Sequence, residues 1–240
     1  MHIFDLSFNL QRIRSVLILW LFFKFAFTII QFPIHVIKTE LEREIMLLKH
    51  EVIPDYISSV PNQTLKVTWI SNETGEKIIS NFGNVIRPQD LINIPTVEWK
   101  AEPNTNYTII ISEIDAPCRS SRYKVEKQVW LVVNIPQTNI SAGKTLTSYA
   151  RPTPWADSGE IRVQVSVYKQ HKPGIDWSWV PRLYEKASDR SRECFSSKNF
   201  TQKYGMSDVI ALNFFLTEWN PKVTYPEDEY ESYEDEAQWL

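Results

Sequence analysis

Two carboxylates, Glu113 and Asp115, close an apolar run at residues 107–112 that has the length and β-branched content of a strand. Ala116-Pro117 follows, then a polar stretch and a second apolar run, Trp130-Leu131-Val132-Val133-Asn134-Ile135-Pro136. A carboxylate such as Glu113 can receive a cationic or hydroxyl ligand, or it can be a polar group satisfied by its own fold; the residue types leave both open. The histidines add little. His2, His35, His50 and His171 show no His-x-x-x-His spacing, and two cysteines do not complete a structural zinc site without histidine. There is no Gly-x-Ser-x-Gly elbow and no phosphate loop. The chain is therefore expected to be non-catalytic, with no metal and no cofactor, although a triad built from distant residues is defined by geometry and not by spacing.

The elements that must position these carboxylates fit in 240 residues, room for one sizeable domain plus tails. Nine Trp, ten Tyr and twelve Phe supply large side chains for a core, while six Gly exclude a glycine-rich linker protein. The net charge of −3 is uneven: residues 226–240 hold seven Asp or Glu and no Lys or Arg. Without them the balance is 26 basic against 22 acidic residues, too weak for nucleic-acid binding.

Arg12 and Arg14 precede apolar residues 16–23, Lys24, and apolar residues 25–30. This pattern predicts a signal peptide or signal anchor over residues 1–31, with a buried core helix as the plain alternative; Asp5 and the strong apolarity disfavour a mitochondrial presequence. Five Asn-x-Ser/Thr sequons, at Asn62, Asn72, Asn106, Asn139 and Asn199, agree with the secretory route. Asn62, Asn72 and Asn139 sit in turn-like stretches, whereas Asn106 abuts a strand and Asn199 a helix. In a secreted chain the pair Cys118 and Cys194 suggests one disulfide, closing a loop of about 77 residues and worth about 4 kcal/mol; two free thiols are the alternative. The acidic end, 223–240, is expected to be a disordered tail. Tyr230 and Tyr233, each flanked by acids, make it a candidate for tyrosine sulfation and for docking to a basic protein partner.

Residues 36–49 read as a helix, with Ile37, Leu41, Ile45 and Leu48 on one apolar face and a Thr39/Glu42 capping box. Strands are expected at 65–70, 95–99, 107–112, 130–134, 161–168 and 208–219, with a strand pair at 77–86 around Gly83. Val163, Val165 and Val167 alternate with Arg162, Gln164 and Ser166, the pattern of a half-buried strand. Residues 171–195 read as a long loop with a short helix near 182–186, and 197–204 as a helix stopped by Gly205. Many short strands with few helices predict a mostly β, sandwich-like domain.

Five fragments in order resemble the phosphatidylethanolamine-binding protein (PEBP) family: Asp115-Ala116-Pro117; Trp130 to Pro136; Tyr168-Lys169-Gln170; Phe195 to Phe200 with Lys203-Tyr204-Gly205; and Asn213-Phe214-Phe215 with Glu218-Trp219. His50 to Asp55 resembles the family's amino-terminal segment. The resemblance implies a PEBP-like β-sandwich with a few peripheral helices over 36–222 and a small anion pocket at one end. By family position the pocket holds Glu113, Asp115, Pro117, Val129, Ile161 and Val163. The family pattern has Asp where Glu113 stands, His where Val129 and Ile161 stand, and Tyr where Val163 stands; Gly159 and Arg162 are kept. Val and Ile carry no donors, and each charge-assisted bond lost to a phosphate costs about 1.5–3 kcal/mol. Trp155, in Arg151-Pro152-Thr153-Pro154-Trp155, stands in a loop that is glycine-rich in the family and either fills the site mouth or packs as ordinary loop. The expected function is a non-catalytic, secreted or lumenal binding protein. It would take a small organic or lipid ligand by a non-standard mode or act as a scaffold. The alternative is a protein-interaction module such as a PEBP-type protease inhibitor, and membrane attachment is expected only if the N-terminal segment stays uncleaved.

Overall fold

The structure is a computed structural model that describes residues 39–172, 175–184 and 187–222. The expected signal or anchor segment and the acidic tail, with Tyr230 and Tyr233, lie outside the described residues. Among the described residues no helix is long and apolar enough to cross a membrane.

Helix α1 (Glu40–Lys49) begins on the expected capping box: Thr39 Oγ1 accepts the Glu42 N–H at 3.1 Å, and Glu42 Oε2 accepts the Thr39 N–H at 2.9 Å. Its buried side differs from the expectation. Leu41, Ile45 and Leu48 are 65%, 52% and 50% exposed, while Arg43 and Leu47 face the domain. What the helix docks on explains this. Arg43 Nη1 donates to Thr64 Oγ1 at 2.8 Å, and Leu47 joins a cluster with Val52, Phe82, Leu212 and Phe214.

The strands follow as β1 (Gln63–Thr64), β2 (Lys66–Ile70), β3 (Lys77–Ile79), β4 (Thr96–Glu98), β5 (Asn106–Glu113), β6 (Lys127–Pro136), β7 (Lys144–Thr147), β8 (Ile161–Gln170) and β9 (Met206–Thr217). They form one sheet in the order β1-β9-β8-β5-β6-β7 and a second in the order β3-β2-β4, antiparallel except for the β1–β9 pair. The main core lies between the sheets. Leu65, Val67, Trp69 and Val97 of the small sheet's side meet Ile109, Ile111, Val132, Val165 and Phe215 of the large one. On the other face of the large sheet, Ile110, Leu131, Val133 and Tyr168 are covered by Trp177, Phe200 and Tyr204. This is the mostly β sandwich with peripheral helices that the sequence predicts. The helices after β8 are α2 (Asp189–Arg192) and α3 (Ser197–Lys203), the latter capped by Ser196 Oγ accepting the Asn199 N–H at 3.1 Å.

Three local expectations are corrected. Strand β8 is buried along both faces, not half-buried, because it is central and covered on each side; Arg162, Gln164 and Ser166 are all inside. In the stretch 77–86 only β3 is a strand, because the chain then turns at Gly83 (φ +99°), where an added Cβ would lie 2.8 Å from His50 Nε2. At 182–184 there is no helix: Leu183 bridges to Thr147 on the edge strand β7 instead.

Two asparagines of the sequence motifs prove to be staples. Asn213 Oδ1 accepts from Ser80 Oγ (3.0 Å) and the Phe82 N–H (2.9 Å), and its Nδ2 donates to the Leu65 and Ser80 carbonyls (2.8 and 3.0 Å). Asn134 Oδ1 accepts the Trp177 indole N–H at 3.0 Å, and its Nδ2 donates to the Ile175 carbonyl at 3.1 Å. Amides satisfied on both ends, Asn213 buried and Asn134 half-buried, fix one packing and one register.

Candidate functional site

The register of the large sheet brings Glu113, the last residue of β5, level with Lys127, the first of β6, and with Val163 of β8. Glu113 is fully buried and Lys127 is 2% exposed. Glu113 Oε1 accepts the Thr153 N–H at 2.8 Å and lies 3.9 Å from Lys127 Nζ. Lys127 Nζ donates to the Thr153 hydroxyl and, at 3.5 Å, to the Thr153 carbonyl. The half-buried Trp155 places its ring centroid 4.7 Å from Lys127 Nζ and 5.1 Å from Lys124 Nζ, a cation–π cover over the ammonium. Around this group Val129, Ile161 and Val163 are core residues of the main apolar cluster. Where the resemblance implies an anion pocket, the chain thus holds an internal ion pair walled by aliphatic side chains.

Asp115 has a different role from Glu113. Both its oxygens are taken by Arg162: Nε to Oδ2 at 2.8 Å, Nη2 to Oδ1 at 2.6 Å, and the Arg162 N–H to Oδ2 at 2.9 Å. Arg162 Nη1 continues to the His50 and Glu51 carbonyls, both at 2.8 Å, and Nη2 reaches Asp55 at 3.3 Å. The pair is fully buried and clamps the segment after α1 to the sheet end. Asp55 ionises below its ordinary range: burial opposes this, but the hydrogen bonds and charges of Arg122 and Arg162 outweigh it. His50 is lowered, first by burial and then by Lys49, Arg119 and Arg162. Pro117 is half-buried and contributes no donor.

A further buried carboxylate, Glu126, was not singled out by the sequence. Its carboxylate accepts from the Ser197 N–H (2.6 Å), Ser197 Oγ (2.5 Å), Ser112 Oγ (2.9 Å) and the Tyr56 hydroxyl, tying the segment after α1, β5 and the start of α3 together. Burial raises its pKa above the usual 4.5, against the pull of these four donors. Its contribution to stability is therefore full below about pH 4.5 and is lost as the pH rises through the higher folded value. Glu126→Gln should remove that decline: urea midpoints measured from acid to neutral pH will fall more steeply for the native chain than for the variant, and parallel profiles would refute the assignment.

The expected disulfide is not formed. Cys118 and Cys194 are free thiols. Cys118 Sγ turns to Ser120 Oγ, 3.3 Å away in its own turn, and Cys194 is held through its backbone, its N–H donating to the Lys124 carbonyl at 3.1 Å. Of the sequons, Asn62, Asn72, Asn139 and Asn199 are exposed; Asn106 is half-buried as the first residue of β5, and Thr108 of that sequon is fully buried.

Lys127 is the residue of this site that sequence reading passed over. The expected strand began at Trp130, so Lys127 fell in the polar linker; extending the strand to pair residue for residue with β5 sets it opposite Glu113.

The sheet order, the motif asparagines and the position of the site at one sheet end define a sandwich of the PEBP type. No family model matches the chain. Protein BROTHER of FT and TFL 1 of Arabidopsis thaliana is 32% identical over 172 residues, which are 70% of this chain and 88% of that protein. A 26 kDa secreted antigen of Toxocara canis is 29% identical over 167 residues, 70% of this chain, and the match spans only 61% of that antigen's length. Among solved structures, a carboxypeptidase Y inhibitor complexed with its cognate proteinase superposes with a TM-score of 0.62 at 18% identity, covering 77% of this chain and 98% of that one. A phosphatidylethanolamine-binding protein from Plasmodium vivax superposes with a TM-score of 0.56 at 17% identity, covering 73% and 97%. The chain belongs to the phosphatidylethanolamine-binding protein family.

Proposed function

We propose that this chain is a non-catalytic binding protein that does not use an anion pocket: its pocket position is occupied by its own ion pair, and its contacts are made by the outer surface of a rigid sandwich. The observation that carries this reading is the Glu113–Lys127–Thr153 group under Trp155, fully inside the fold. A phosphoryl group entering there would have to separate a buried pair and would meet Val129, Ile161 and Val163, which donate nothing. A small organic or lipid ligand would then bind by contacts other than phosphate recognition. Secretion is supported by the secreted antigen among the relatives and by the exposed sequons at Asn62, Asn72 and Asn139.

A second reading, inhibition of a peptidase, is favoured by the inhibitor–proteinase complex among the structural neighbours, whose coverage extends over nearly all of the inhibitor chain. One experiment separates the two. The protein is expressed in a secretory host and weighed by native mass spectrometry, then assayed against serine proteases and carboxypeptidases. The first reading predicts glycan mass and no ligand held through a phosphoryl group; a stoichiometric phospholipid adduct that inorganic phosphate displaces contradicts it, and dose-dependent inhibition replaces it with the second.

A further inference from the structure

Trp179 is 89% exposed and Tyr184, five residues on, is 68% exposed, yet the loop that carries them is held by buried anchors. At its base Trp177 is buried, stacked on Phe200 with ring centroids 5.7 Å apart and bonded to Asn134. Asp176 closes the turn by accepting the Ser178 N–H and hydroxyl at 2.9 and 2.8 Å. At its far side the Leu183 N–H donates to the Leu146 carbonyl and the Ser148 N–H to the Leu183 carbonyl, both at 2.8 Å. Arg192, 1% exposed, donates to the Tyr184 carbonyl at 2.9 Å and to the Ser148 carbonyl at 3.0 Å. A buried indole and a buried guanidinium thus fix a loop whose largest side chain stands in water.

We propose that this loop is a membrane-contact element that seats Trp179 and Tyr184 at the headgroup level of an anionic lipid surface. Rings with an apolar body and a polar tip are the side chains that settle at that interface. The charge of the described surface fits: Lys172, Arg182 and Arg190 are exposed, with Asp176 as the exposed carboxylate of the loop. The large apolar side chains that the loop exposes are one Trp and one Tyr, each with a polar tip. A lipid surface needs no matching pocket, and a braced loop meets it without first being ordered. The proposal does not depend on whether the pocket position binds anything.

The test uses the full chain and its Trp179→Phe variant with vesicles of phosphatidylcholine and phosphatidylserine carrying brominated acyl chains. The difference between their emission spectra reports Trp179 alone, so attachment by another segment does not produce the signal. Because the Trp179 side chain is almost free of contacts, the variant should melt with the native chain. The expected result is a Trp179 emission that moves to the blue and is quenched, with Arg182→Glu weakening the vesicle titration about tenfold. A Trp179 emission that stays that of an indole in water while vesicles are in excess overturns the proposal.

Discussion

Arg162→Met is expected to lower the free energy of unfolding by about 3–5 kcal/mol. The guanidinium is fully buried, and five hydrogen bonds depend on it: two to Asp115, two to the His50 and Glu51 carbonyls and one to Asp55. Methionine keeps much of the volume but leaves the Asp115 carboxylate in the sheet end with only the Arg162 backbone N–H as a donor among these contacts. An uncompensated buried charge is the costly outcome, more so than the loss of the attraction itself. The double variant Asp115→Leu, Arg162→Met should therefore recover part of the loss, with the unpaired His50 and Glu51 carbonyls accounting for the remainder. Urea denaturation of the single and double variants measures both. A loss under about 1 kcal/mol for the single variant would show that the clamp is not a structural requirement.

Lys127→Met is expected to have the second largest effect, about 3 kcal/mol, for the same reason on the opposite partner. Here the Glu113 carboxylate keeps the Thr153 N–H at 2.8 Å but loses the cation, and Thr153 loses a donor to its hydroxyl and carbonyl. Combining it with Glu113→Gln removes the stranded charge and should restore most of the stability. The contrast with Arg162 is informative. The Glu113–Lys127 separation of 3.9 Å is a looser contact than the 2.6 Å pair at Asp115, so the coupling in a double-mutant cycle should be the smaller of the two. Equal couplings would mean that the ion pair is tighter than this geometry.

The fold was legible because its signals are local. Thr39 and Glu42 name a cap wherever they occur in this spacing, and the valines of 161–168 name a strand. What the sequence did not carry was which sheet neighbour each strand acquires. The alternation of Val163, Val165 and Val167 suggested a wet face, but both faces of the large sheet are covered by packed layers, so the polar residues of β8 are inside. Likewise Leu41, Ile45 and Leu48 had the spacing of a core stripe, but Leu47 packs with Val52, Phe82, Leu212 and Phe214 and Arg43 bonds Thr64, so the other side of α1 faces in. The site was legible by half. The pattern of replaced donors pointed to a site without phosphate ligands at Val129, Ile161 and Val163. The residue that fills it, Lys127, is visible only through the β5–β6 register, a non-local fact. Glu126 escaped for the same reason: its four donors come from residues 56, 112 and 197.

In the proposed reading the protein's own charges close the pocket position. The most direct test of that reading is calorimetric titration of the full chain with phosphorylethanolamine and, in parallel, with inorganic phosphate. No saturable heat is expected with either, since two or three missing donors at about 1.5–3 kcal/mol each remove the affinity that a phosphoryl group would need. Saturable binding of phosphorylethanolamine that inorganic phosphate competes away, and that Glu113→Gln or Lys127→Met alters, would contradict it.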